Sequence, residues 1–159
     1  MAALRQHLRA LLTEPQAHVQ LSDVLDGFPV QQLNERIGGL PHSAWELLWH
    51  LWFTQRDILE FVRDEPYTER EWPAAYWPST AGTVQNWYQT FESIQADLDE
   101  FLALLSGADL YAAVPNAVRA GTAQTWLREA LLIADHNAYH VGQLVVLRRL
   151  LNEDRAVES

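Results

Sequence analysis

The feature that most constrains the fold is a long run of apolar residues with helical spacing. Seven of them follow one another at alternating intervals of three and four: Val84, Trp87, Phe91, Ile94, Leu98, Phe101 and Leu105. This spacing places them on one face of an α-helix, so we predict an amphipathic helix over about residues 83–105. Its apolar face must be covered, and packing within the chain or a homodimer seam would both explain the pattern.

Two further helices have clear signals. Ser43 followed by Glu46 fits a capping box, in which each side chain bonds the backbone N–H of the other residue, and it predicts a helix over about 43–63. Pro66 sets the outer limit of that helix. The last helix is predicted over about 123–151 from its spaced apolar residues.

The first forty residues carry weaker signals. A short helix is predicted over about 2–13, and helical turns are expected around Ser22 and after Pro29. No stretch alternates apolar and polar residues over the length that a sheet requires. We therefore predict an all-α fold in one domain covering 1–159, a four-helix bundle with a short extra N-terminal helix.

A proline-rich segment separates the second and third main helices of this predicted bundle. Residues 64–82 contain three prolines and four aromatic residues without a sustained period, which predicts a long ordered loop. Trp72, Tyr76 and Trp77 can line the mouth of a ligand site, because aromatic side chains often line pockets. Alternatively, they only attach the loop to the bundle through their apolar surface.

Composition excludes several functions. The net charge is −10, and all eleven basic residues are arginine. An acidic surface repels phosphate and anionic lipid, so we expect neither a nucleic-acid nor a membrane partner. Without lysine or cysteine the chain offers no Schiff base, thiol nucleophile or thiolate ligand. The N-terminus lacks the continuous apolar stretch of a secretory signal, so a cytoplasmic location is expected.

Two histidines near the C-terminus have the spacing of metal ligands. In ADHNAYHVGQL, residues 134–144, His136 and His140 lie four positions apart, which is one helical turn, so both imidazoles can reach one cation. His50 likewise interrupts the apolar face of the helix predicted over 43–63. These three histidines are therefore candidates for a shared metal site.

The alternative is that each histidine is an ordinary core residue. A single histidine is usually partly exposed or bonded to the backbone, so one of them alone would favour that interpretation. Three polar side chains on core-facing surfaces are harder to explain separately, since each unpaired buried polar group costs about 1–3 kcal/mol. The triplet therefore favours a shared partner.

The sequence around these histidines resembles a known family. WELLWHLWFTQRDIL around His50 and ADHNAYHVGQLVVLRRLL around His136 and His140 are similar to the DinB-like superfamily, over about residues 20–151. The HxxxHxGQ pattern, with a single earlier histidine, carries the resemblance. It implies a bundle of four main helices, a divalent-metal site with His50, His136 and His140 as ligands, and a frequent homodimer.

Several side chains are candidates for the surroundings of the site. Gln143, one turn after the last histidine, can orient its ring or contact a substrate. Asp57 can be an acid that supports the ligands without binding the metal itself, or a solvent-exposed partner of Arg56 or Arg148. Trp77 is the third candidate, as part of the loop that can border the pocket.

Other polar residues near the histidines are expected to lie further out. Asp135 points about 100° away from its neighbour His136 on the helix, so it should not be a ligand. His18 and His42 are candidates for the pocket rim, or simply exposed loop residues. Gly142 is expected to allow close packing of a neighbouring helix.

Three nitrogen ligands leave a coordination position open for water or substrate, as in catalytic sites. We expect zinc or nickel, with iron and manganese as alternatives. The resemblance extends to thiol transferases and mycothiol-dependent enzymes, so it implies a small-molecule substrate and a metal that activates a low-molecular-weight thiol, or water, for transfer to an electrophile. The alternative is a stress-associated protein that binds a metal or ligand without turnover. The sequence identifies no catalytic side chain.

Overall fold

The computed structural model describes residues 2–157, with side chains over 2–152, and confirms the all-α prediction. Over this range the helices are α1 (Ala2–Thr13), α2 (Leu21–Leu25), α3 (Ala44–Val62), α4 (Val84–Gly107), α5 (Pro115–Ala120) and α6 (Trp126–Val157). Among the described residues β-type pairing is limited to one bridge between Ala113 and Thr125. None of the helices in this part of the chain is both long and apolar enough to cross a membrane.

The capping box predicted at the start of α3 is present. The Ser43 hydroxyl accepts a hydrogen bond from the Glu46 N–H at 3.3 Å, and the Glu46 carboxylate accepts one from the Ser43 N–H at 2.8 Å. An equivalent arrangement of Thr83 and Asn86 begins α4. Because each box satisfies backbone donors that the first helical turn leaves free, both helices start where these short polar side chains stand.

The four long helices are α1, α3, α4 and α6, and α3 packs against both α4 and α6. The N-terminal helix is therefore one of the long helices, and it packs on α6. Residues 20–40 contribute only α2 and a single 3₁₀ turn at Val30–Gln32. The last helix is longer than predicted, since it continues past 151 to Val157.

The apolar residues form two core clusters, one towards each end of the bundle. One contains Leu47, Leu48 and Leu144, and the other contains Leu59 and Ile133. The predicted apolar face of α4 is buried at four of its positions, namely Trp87, Ile94, Phe101 and Leu105. Both clusters draw on α3 and α6, so the helix residues between them form a layer in the middle of the bundle.

Candidate metal centre

The three predicted histidines come together between α3 and α6. His50 comes from α3, and His136 and His140 come from successive turns of α6. One ring nitrogen of each lies within 4.8 Å of the others. His50 is 3% exposed and His140 is 7% exposed, so the cluster sits inside the bundle. The prediction that these side chains meet is confirmed.

Hydrogen bonds to oxygen acceptors hold two of the rings. The Nδ1 of His50 donates to the backbone carbonyl of Tyr76 at 2.8 Å, and the Nδ1 of His140 donates to the Gln143 side-chain oxygen at 2.6 Å. Because a carbonyl oxygen can only accept, each ring carries its proton on Nδ1 and leaves the Nε2 lone pair free. This is the tautomer in which Nε2 binds a metal.

Burial keeps all three rings neutral. It is the main cause that lowers the pKa of His50 and of His140, and it lowers the pKa of His136 to about 4. The nearby imidazoles add to this effect at His136 and His50, because a second positive charge so close would be repelled. A histidine must be neutral to coordinate a metal, so these rings are in the required state at neutral pH.

The spacing of the nitrogens fits a divalent ion. The Nε2 atoms of His50 and His136 are 3.1 Å apart. Two nitrogens on a tetrahedral ion with bonds of 2.0–2.1 Å would be separated by about 3.3 Å, so this pair needs little adjustment. Three imidazole donors suit metals of intermediate softness such as zinc, nickel and iron.

The comparison with known families agrees with this geometry. The sequence model of the DinB superfamily matches residues 15–144, which include all three histidines and Gln143. The chain belongs to the DinB superfamily. Proteins of this superfamily bind metals, and three histidines this close can hold a metal ion. Among curated proteins and among solved structures, no match was found.

The predicted pocket residue Trp77 lies directly against the cluster of this DinB protein. Its ring stacks on His50 with 4.2 Å between centroids and an angle of 8°. On its other side His42 stacks on it at 3.7 Å and 4°. The indole therefore shields one face of His50, and His42 lies at the rim of the site, whereas His18 is exposed and contacts the backbone of Val19.

Asp57 is connected to the cluster through the loop of residues 64–82. Its carboxylate accepts a hydrogen bond from the Tyr76 hydroxyl at 2.5 Å and from the Tyr67 hydroxyl at 3.0 Å. Tyr76 is also the residue whose backbone carbonyl holds His50. Asp57 thus fixes the loop segment that orients a candidate ligand of the DinB site.

The expected arginine partners of Asp57 are engaged elsewhere. Arg56 pairs with the buried Asp97 at 2.5 Å, and Arg148 donates to the carbonyls of Asp23 and Val24. The arginine nearest to Asp57 is Arg70, at 3.8 Å. The prediction of an Arg56 or Arg148 pair was therefore wrong, because both arginines lie against backbone or acids of other elements.

Two other expectations for α6 have different outcomes. Asp135 is exposed, as its position on the helix predicts. Gly142 is exposed as well, and a Cβ added there would meet no atom within 4 Å. The expected close packing of a helix at Gly142 was therefore wrong: in this DinB protein that face of α6 borders an open cleft.

Sequence reasoning missed some polar and aromatic neighbours. Asn137 donates to the Gln55 side chain at 3.0 Å, and Gln55 donates to the carbonyl of Ile94 at 2.7 Å, which links α6, α3 and α4 beside the histidines. Tyr139 lies edge-on to His140 at 4.9 Å. A usable signal existed for Gln55 and Asn137, since both interrupt apolar helix faces as the histidines do.

Proposed function

We propose that this DinB-superfamily protein binds one divalent metal ion through His50, His136 and His140, and that it activates a small thiol or water for transfer to an electrophilic small molecule. The observation that carries the proposal is the pair of Nδ1 hydrogen bonds, to the Tyr76 carbonyl and the Gln143 side chain. They leave the Nε2 lone pairs of His50 and His140 free, and the Nε2 of His50 lies 3.1 Å from that of the third histidine, His136. Because the three rings also converge within 4.8 Å of one another, these hydrogen bonds favour a shared ligand over three separate core histidines.

A divalent ion with three protein nitrogens would keep a position for a small molecule and would lower the pKa of a water or thiol bound there. We propose zinc or nickel as the native ion, with iron and manganese as alternatives. The chain contains no cysteine, so no internal thiolate competes with an external thiol for that position.

The surrounding side chains would orient and shield the reacting groups. Trp77 covers one face of His50 and excludes water there. Gln143 and the Tyr76 carbonyl hold two rings in their coordinating tautomer. A buried and partly apolar environment strengthens the electrostatic influence of an ion on a bound group, because the local dielectric is low.

The first experiment measures metal content. Protein purified without a metal-affinity tag is expected to hold about one zinc or nickel per chain by elemental analysis, and replacing each of the three histidines by alanine is expected to remove it. His18→Ala is the matched control, because His18 is an exposed histidine away from the cluster. Circular dichroism checks that every variant is folded. Equal metal content in all variants would contradict the proposal.

The second experiment tests activity. Metal-loaded protein is mixed with a small thiol and 1-chloro-2,4-dinitrobenzene, and thiol consumption is followed against the same protein treated with a chelator. Metal-dependent loss of thiol with formation of the conjugate would support an enzyme. Saturable thiol binding without product would favour the non-catalytic alternative, a metal- and ligand-binding protein.

A further inference from the structure

An apolar cleft of about 330 Å³ lies beside the histidines, between α6 and the residues that lead into α3. Its walls include Leu40, Leu47, Val146 and Leu147, and Gly142 forms part of its floor. A Cβ at Gly142 would meet no atom within 4 Å, so the space above this residue is open. All residues that line this cleft are among those that the structure describes, and none of them carries a carboxylate or guanidinium group.

The polar side chains of the cleft are the ones that also reach the histidine cluster. Gln143 lines the cleft and accepts the hydrogen bond of His140. His42 lines the cleft and stacks on Trp77, which in turn stacks on His50. Tyr139 lines it too and contacts His140 edge-on. The three histidines themselves do not line the cleft, but its polar end is separated from them only by these side chains and Trp77, and the remainder of the cleft is apolar.

We infer that this cleft binds the apolar portion of a small-molecule substrate whose polar head faces the three histidines. The inference rests on the proposed function, because it needs a reactive centre at the cluster. A volume of about 330 Å³ is at the small end of ligand pockets, which span about 300–1,000 Å³, so it suits a short alkyl chain or a single aromatic ring.

The lining also limits the chemistry of the substrate. A carboxylate or phosphate on the buried portion would lose its hydration without gaining a cationic partner in the cleft, which is unfavourable. The larger cleft near Asp57 contains Glu129, Arg119 and Arg128, so it offers a charged lining of a different kind. We therefore assign the apolar cleft, and not the charged one, to the carbon skeleton of the substrate.

The test uses protein loaded with Co²⁺, whose visible spectrum reports ligand binding, and straight-chain thiols of two, four and six carbons. Each methylene that enters the cleft is expected to tighten binding about fourfold. Gly142→Leu places a side chain in the open space and is expected to abolish this gain while leaving Co²⁺ uptake and binding of the two-carbon thiol intact. Arg149→Leu is the control, since it adds the same side chain at an exposed position of α6 outside the cleft.

The outcomes separate this inference from the proposed function. A protein that takes up no Co²⁺ overturns both. Co²⁺ uptake with equal affinity for all three thiols, or an equal gain per methylene in Gly142→Leu, overturns the cleft inference alone. Sedimentation adds a further check. If the unmodified protein is a dimer, Gly142→Leu makes it monomeric, and all three thiols bind with equal affinity, then a second copy of the chain covers the cleft.

Discussion

Gln143 illustrates how one uncharged side chain determines the chemistry of another. Its oxygen lies 2.6 Å from the Nδ1 of His140 and thereby selects the tautomer with a free Nε2. Both residues are on α6, three positions apart, so the helix itself brings the pair together.

Replacing Gln143 by leucine is expected to weaken metal binding by about 10- to 100-fold, because the ring of His140 loses the acceptor that orients it. The dissociation constant is measured by competition with a chromophoric chelator. Gln143→Glu keeps an oxygen acceptor at the same place and should retain most of the affinity. Equal affinities for the leucine variant and the unmodified protein would show that the hydrogen bond has no part in metal binding.

At the scale of elements, the loop of residues 64–82 is as important as the helices for the site. Tyr76 contributes its backbone carbonyl to His50 and its hydroxyl to Asp57, so it ties the loop to α3 at two points. Near the end of the loop, the indole N–H of Trp45 donates to the carbonyl of Thr80 at 3.0 Å. The loop is therefore an ordered part of the candidate metal centre.

Tyr76→Phe removes the hydroxyl that bonds the Asp57 carboxylate. A hydrogen bond to a charged group contributes about 1.5–3 kcal/mol, so amide hydrogens in the loop are expected to exchange at least tenfold faster in the variant. Hydrogen–deuterium exchange with mass spectrometry gives the rates. The control is Tyr88→Phe, at an exposed tyrosine of α4. Unchanged hydrogen-exchange rates in the loop would contradict the conclusion that Asp57 fixes the loop through Tyr76.

Gly82→Ala tests how closely the end of the loop approaches α3. A Cβ at Gly82 would lie 2.2 Å from a ring carbon of the buried Trp45, so the backbone or the indole would have to shift. We expect the free energy of unfolding to fall by about 1–3 kcal/mol, as for other overpacked sites. Urea denaturation measures it. Gly107→Ala should show no such loss, because a Cβ there meets nothing within 4 Å.

At the scale of the whole molecule, the bundle encloses a layer of polar side chains next to its apolar clusters. The layer contains His50, Gln55, His136, Asn137 and His140, which interact across α3 and α6. Burying neutral histidines has a cost that depends on pH, since the unfolded chain can protonate them freely and the folded chain cannot. Acid should therefore weaken the metal-free fold.

The direction of this effect follows from the lowered pKa values. Folding lowers the pKa of His136 from 6.5 to about 4, and it also lowers the pKa values of His50 and His140. Below about pH 6.5 the unfolded state therefore binds more protons than the folded state. Stability is complete above about pH 6.5 and is lost as the pH falls, by up to about 1.4 kcal/mol per unit for each histidine. Urea denaturation of metal-free protein between pH 7 and pH 5 measures the slope.

His136→Gln is the matched variant for this experiment, because it removes the ring with the pKa of about 4. Its stability should depend less steeply on pH than that of the unmodified chain. A free energy of unfolding that stays constant from pH 7 to pH 5 in the unmodified protein would mean that the three rings are not buried in their neutral form.

The sequence by itself determined the features that depend on neighbours along the chain. The cap at Ser43, the apolar face of α4 and the one-turn spacing of His136 and His140 all follow from local hydrogen bonds and helical periodicity. These were enough to predict an all-α fold and to identify the three histidines. The family resemblance strengthened the same prediction, and the match over residues 15–144 bears it out.

Only the tertiary structure decided how distant parts of the chain meet. His50 contacts His136 across 86 positions, the Tyr76 carbonyl reaches His50 from the loop, and Gly142 opens onto a cleft. The path of a loop and the crossing of two helices depend on the packing of the whole core, for which no short stretch of sequence carries a signal. For that reason the candidate ligands and Gln143, which lies one helical turn from His140, could be predicted from the sequence, while the Tyr76 carbonyl that holds His50 could not.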